Sequence, residues 1–116
     1  MKKCFLLFCF TILAFTLSAQ TKIPAKDASN YVGKTVTICD KVFSTKLIAG
    51  SNMTLLNLGG SYPNQLLTVM IKGTDRSKFK GQPEVDFKGK DVCVTGVVVL
   101  YKDKPEIVVS NPEQIK

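Results

Sequence analysis

Few side chains in this sequence are equipped for bond making. There is no histidine, which removes the commonest general base near neutral pH and the commonest nitrogen ligand for a metal. Cys39 and Cys93 each lack the close second cysteine of a zinc site, so no metal and no cofactor is expected. Carboxylates gather loosely, Asp75 beside Arg76 and Glu84 near Asp86. A nuclease reaction of the staphylococcal type uses acidic calcium ligands and a pair of arginines, and Arg76 is the single arginine here. The expectation is a protein that is not an enzyme. What remains is the chemistry of holding: cations, amides, hydroxyls and aromatic rings.

The chain opens with Met1-Lys2-Lys3, an apolar run from Cys4 to Leu17, and Ser18-Ala19-Gln20. A positive tip, a short apolar stretch and a small-residue exit are the parts of an export signal. The run falls short of the roughly twenty residues of a membrane span. Residues 1–19 are therefore read as a signal peptide cut after Ala19, and residues 20–116 as one small domain. Cys4 and Cys9 lie inside the apolar run rather than after it, where a lipid-modified cysteine would stand. The expected product is exported to the periplasm or the extracellular space, without a stable membrane anchor.

Export gives the two remaining cysteines an oxidising compartment, where an even number usually pairs. A Cys39–Cys93 disulfide would close a loop of some fifty residues, adding about 4 kcal/mol in the chain-entropy model. It requires that the two strands carrying them be neighbours. The formal charge of +7, part of it on Lys2 and Lys3, favours anionic partners or simple solubility.

The elements that must position these groups are mostly strands. Residues 25–32 read as a short helical lead-in, with Asp27 as a cap and Gly33 as its end. Residues 36–43 alternate apolar and polar until Val42-Phe43, where two apolar neighbours predict a bulge. Residues 53–58 and 66–72 give a second and third strand, with Leu56 and Leu58, then Leu67, Val69 and Ile71, on the inner face. A short helical connection follows near 74–79. Residues 91–101 form the most β-branched stretch, with Gly96 marking a bend, and Lys102-Asp103-Lys104 connects it to a fifth strand over 105–110. Phe43, Phe79 and Phe87 are expected mainly in the core.

Three strands, a helical connection between strands three and four, then two strands suit an all-β, five-stranded Greek-key barrel of the oligonucleotide/oligosaccharide-binding (OB) kind. That topology lays strand one against strand four, bringing Cys39 to Cys93.

Segments 33–42, 55–65 and 89–96 resemble small exported OB-fold proteins predicted to bind nucleic acid, similar to the anticodon-binding-like OB family. The resemblance runs through Leu56-Asn57-Leu58, Tyr62-Pro63-Asn64, the Lys88-Gly89-Lys90 start of strand four and Pro105-Glu106-Ile107, and covers most of residues 20–116. Asp40 stands where such domains often carry glycine. The resemblance implies a barrel and a binding function, with single-stranded DNA or RNA as the partner, in company with a nuclease or an envelope protein. The competing reading is an exported OB protein that binds a protein, a small ligand or an envelope component.

An OB barrel offers the exposed face of its second and third strands, rimmed by two loops. On that face and rim fall Lys46, Asn52, Asn57, Tyr62, Thr68, Lys72, Arg76, Tyr101, Lys102 and Lys104. Single-strand binding needs cations along a groove and rings on which bases stack. Lys72 and Arg76 are the candidates for phosphates, Tyr62 and Tyr101 for stacking. Each has a plainer reading, Tyr62 as a loop plug and the lysines of 102–104 as guards of an edge turn. Lys78, Lys80, Lys88 and Lys90 read as a solvated face.

Overall fold

A computed structural model describes residues 21–116; the signal-peptide reading lies outside them. Six strands form one sheet: β1 (Lys22–Ile23), β2 (Thr35–Ile48), β3 (Met53–Leu58), β4 (Leu67–Ile71), β5 (Asp91–Tyr101) and β6 (Lys104–Val109). The order is β1-β2-β3-β4-β6-β5, and β2 pairs a second time with β5. The N-terminal half of β2 therefore runs against β5 while its C-terminal half runs against β3. That double use curls the sheet toward a ring. The arrangement is all-β and OB-like.

The bend lies where the sequence predicts it. The β2–β3 register shifts between Val42 and Ser44. Val42 stays fully buried while Phe43 is thrown outward, 43% exposed, with the Lys41 ammonium 5.1 Å from its ring centre. Phe43 is thus not a core residue; the extra residue of the bulge turns it out. Phe79 and Phe87 do pack against the core, edge to face at 6.4 Å. At Gly96 a Cβ would come within 2.7 Å of Ile107, so only glycine lets β5 coil this closely over β6.

Other expectations need adjusting. The sheet has six strands rather than five, because β1 adds a short parallel pairing to β2 through Lys22↔Thr37 and Ile23↔Ile38. The lead-in is a 3-10 helix, Ala25–Tyr31, entered through Pro24. Asp27 does not cap it. Its first amide instead donates to Asp40 Oδ2 at 3.0 Å, which gives the carboxylate at this unusual position a structural task. The connection between β4 and β5 holds two single-turn helices, α1 (Gly73–Arg76) and α2 (Pro83–Asp86), the second started by proline at its first turn. Among the described residues no helix is long and apolar enough to cross a membrane.

Inward residues Ile38, Val42, Leu56, Leu58, Leu67, Val69, Ile71, Val94, Val98, Ile107 and Val109 are fully buried and form the core. Their period-two spacing leaves every alternate side chain of β3, β4 and β6 on the outer face.

Candidate nucleic-acid interface

The pairings β3–β4 and β4–β6 put Asn57, Thr68 and Glu106 in one row across the outer face. Ser44 extends the row on β2 and Val99 on β5. The next row holds Lys46, Leu55, Met70 and Val108, and Ile48 and Met53 follow. One row is polar and the next is mostly apolar. Together they floor a groove of about 410 Å³ whose lining includes Met53, Leu55, Asn57, Thr68, Met70 and Glu106.

Two loops build the walls. Ser44 Oγ accepts from the Tyr62 amide at 3.1 Å and from Asn57 Nδ2 at 3.0 Å, so the bulged strand anchors the loop that carries Tyr62. Tyr62 is 74% exposed, which excludes a role as a plug. Opposite, β5 turns into β6 through Lys102 and Asp103, both at positive φ (51° and 65°). Positive φ at both central residues gives a hairpin turn whose twist matches its strands. Tyr101 and Lys104 are paired at its base, and Tyr101 is 58% exposed. Lys104 Nζ donates to the Pro63 carbonyl at 3.4 Å, tying the two walls together. The Lys102 ammonium lies 5.4 Å from the Tyr101 ring centre.

Asn57, Tyr62, Thr68, Tyr101, Lys102 and Lys104 all line this groove. Lys46, paired with Leu55, stands exposed at its margin. Three other candidates fall elsewhere. Asn52 lies in the β2–β3 turn at φ 60°. Lys72 is exposed past the end of β4, where it opens α1. Arg76 is turned to Glu84, its Nη2 at 2.7 Å from Oε2 and its Nε at 3.3 Å from Oε1. Glu84 also accepts from Thr45 Oγ1 through its carbonyl at 2.7 Å, so the pair clamps α1 and α2 to β2. Burial alone would raise the Glu84 carboxyl, but the hydrogen bonds and charge of Arg76, with Glu84's own amide, hold it below the ordinary value.

Sequence reasoning missed three contributors: the Met53, Leu55 and Met70 floor, Gln65, and Glu106. The floor carried a readable sign, since β3 is apolar on both faces and its outer residues would otherwise face water. Gln65 Nε2 donates to Thr68 Oγ1 at 3.1 Å, while its Oε1 is buried with no partner among the described residues. Burial raises the pKa of Glu106.

Across the ring, Cys39 and Cys93 face each other in register and are disulfide-bonded, Cα to Cα 4.0 Å. Cys93 turns its amide and carbonyl the other way, to Lys116, at 2.9 and 3.0 Å. The bond is compatible with an oxidising compartment. Among the described residues no group of three or more histidine, cysteine or acidic side chains could hold a metal ion.

No protein-family model matches the chain, and no curated protein matches it. Among solved structures, it is similar to a chain described as an aspartyl-tRNA synthetase from Leishmania major Friedlin, with 21% identity and a TM-score of 0.51. The match covers 89% of this chain and spans 22% of the synthetase chain. At that identity the likeness speaks for the fold, and it agrees with the OB-like strand order.

Proposed function

We propose that this chain is an exported, non-catalytic OB barrel that holds a short stretch of single-stranded nucleic acid across β3, β4 and β6. The observation that carries the reading is the pairing of two exposed tyrosines, Tyr62 and Tyr101, on opposite walls of a groove bordered by Lys46, Lys102 and Lys104. Rings give bases a stacking platform and lysines meet the phosphates. The fold likeness to a protein named for acting on a tRNA supports the same choice. Arg76 and Lys72 are left out of the contact surface, since Arg76 is spent on Glu84 and Lys72 stands off the groove.

The test is fluorescence anisotropy of the oxidised protein with labelled single-stranded DNA and RNA over a series of salt concentrations. The expected result is micromolar binding that falls log-linearly with salt. Absence of binding at low salt would remove the proposal. The Met53, Leu55 and Met70 floor favours a second reading, a protein, small-ligand or envelope partner held by apolar contact. Such a contact changes little with salt, so the same titration separates the two. A nuclease working beside this chain remains part of the first reading.

A further inference from the structure

A carboxylate on the floor of a lysine-bordered groove repels the phosphates that the lysines attract. Glu106 is half-buried there, paired with Thr68 on one side and Val99 on the other. Among the described residues no cation forms an ion pair with it and no side chain donates to it. The nearest lysines of the groove have other contacts, Lys102 over the Tyr101 ring and Lys104 on the Pro63 carbonyl. Burial without a partner is also why its carboxyl holds its proton more tightly than usual. Such a group is costly unless something outside the chain donates to it.

The neighbouring strand supplies the opposite polarity in the same row. Thr68 Oγ1 accepts from Gln65, which leaves its own proton for an incoming acceptor. Across one row the groove therefore presents a hydroxyl donor beside a two-oxygen acceptor. A base lying on the Leu55 and Met70 floor between the two tyrosines would turn its edge to that row. Thymine and uracil bring one ring N–H between two carbonyls, and the second carbonyl would face the carboxylate. Cytosine and adenine bring one amino group beside a ring nitrogen that is itself an acceptor. Guanine alone brings two adjacent donors, the ring N1–H and the N2 amino group, next to an O6 acceptor.

We infer that the groove selects guanine, Glu106 accepting from N1–H and N2–H while the Thr68 hydroxyl donates to O6; this rests on the oligonucleotide reading of the same groove. Base edges in single strands are open to such contacts.

The experiment compares three labelled oligodeoxynucleotides by anisotropy: (GT)4, (IT)4 and T8. Hypoxanthine keeps N1–H and O6 and lacks only the amino group. The wild-type protein should bind (GT)4 about tenfold more tightly than (IT)4 or T8, the size of a good bidentate contact. Glu106→Gln should bring all three within about twofold, with T8 held no more weakly than by wild type because a negative charge has left the groove. Equal wild-type binding of the three overturns this inference and leaves the oligonucleotide reading standing. No binding to any of them overturns both. A Glu106→Gln protein that keeps the preference, or that loses all three ligands equally, overturns the guanine contact, and the thermal midpoint of the variant identifies any loss of fold.

Discussion

Along the seam where β2 meets β5, outward side chains find their partners in register. Thr37 and Thr95 share a hydrogen bond at 2.8 Å, and Cys39 and Cys93 share a covalent one. Across the ring, the row through Asn57, Thr68 and Glu106 crosses one antiparallel and one parallel pairing and ends differently. Asn57 and Thr68 reach Ser44 and Gln65, while Glu106 has no side-chain partner among the described residues. Beside it stand two tyrosines more than half exposed. One face is completed by the chain itself and carries stability. The other is left incomplete and is where a ligand would supply the missing contacts.

Substitutions should sort by face, and the largest effect belongs to the seam. Replacing Cys39 and Cys93 together by serine should cost about 4 kcal/mol of unfolding free energy, read from denaturant midpoints, with oligonucleotide affinity unchanged in the fraction still folded. Tyr62→Ala and Tyr101→Ala should behave in the reverse way. Each should lose about 1–3 kcal/mol of binding by anisotropy with the thermal midpoint unmoved. If either tyrosine variant unfolds while binding persists, the division between the faces fails.

Arg76→Ala sharpens the comparison, because Arg76 is a cation placed outside the groove. It should lower stability by about 2 kcal/mol through loss of its charged hydrogen bonds to Glu84, and leave affinity alone. A matching loss of affinity would return Arg76 to the interface.

The two perturbed carboxylates give opposite acid responses. Glu84 has a lowered folded-state pKa, so its stabilisation is present above the ordinary glutamate value and is lost as pH falls through the folded one. Glu106 has a raised folded-state pKa. Its contribution is fully present below the ordinary value and is lost as pH rises through the folded one. Glu84→Gln should therefore reduce the acid-side loss of stability, and Glu106→Gln should steepen it, as read from thermal midpoints between neutral pH and the carboxylate range.

The smallest effect lies in the hairpin turn. Lys102 holds a positive φ that asparagine adopts more readily. Lys102→Asn should gain about 0.5 kcal/mol of stability and weaken binding through the lost charge. A gain on both counts would mean that Lys102 does not touch the ligand.

The strands were largely legible in the sequence. Alternation in β3, β4 and β5 reported their inner faces, the Val42-Phe43 doublet reported the bulge, and the cysteine pairing followed from the strand order. The site was legible in part. Tyr62 and Lys102 stand in loops, and Tyr101 and Lys104 at the strand ends beside one of them, so their place at the groove follows from the OB-like order. Arg76 reads as a phosphate contact until the fold brings Glu84 beside it, a pairing across two separate turns that no local pattern announces. Glu106 was hidden for the same kind of reason. Its neighbour Thr68 comes from a distant, parallel strand, and only that register makes the pair a recognition element. Asp40 carried a structural task, holding the Ala25 amide, that composition could not reveal.

The claim that the groove of β3, β4 and β6 is the binding surface is tested most directly by mapping backbone amide shifts of the oxidised protein during titration with T8. The account predicts shifts concentrated at Asn57, Tyr62, Thr68, Tyr101 to Lys104 and Glu106, with the Cys39–Cys93 seam and the Arg76–Glu84 clamp unmoved. Shifts centred on Lys72, Arg76 and Lys78, or none at saturating oligonucleotide, would contradict it.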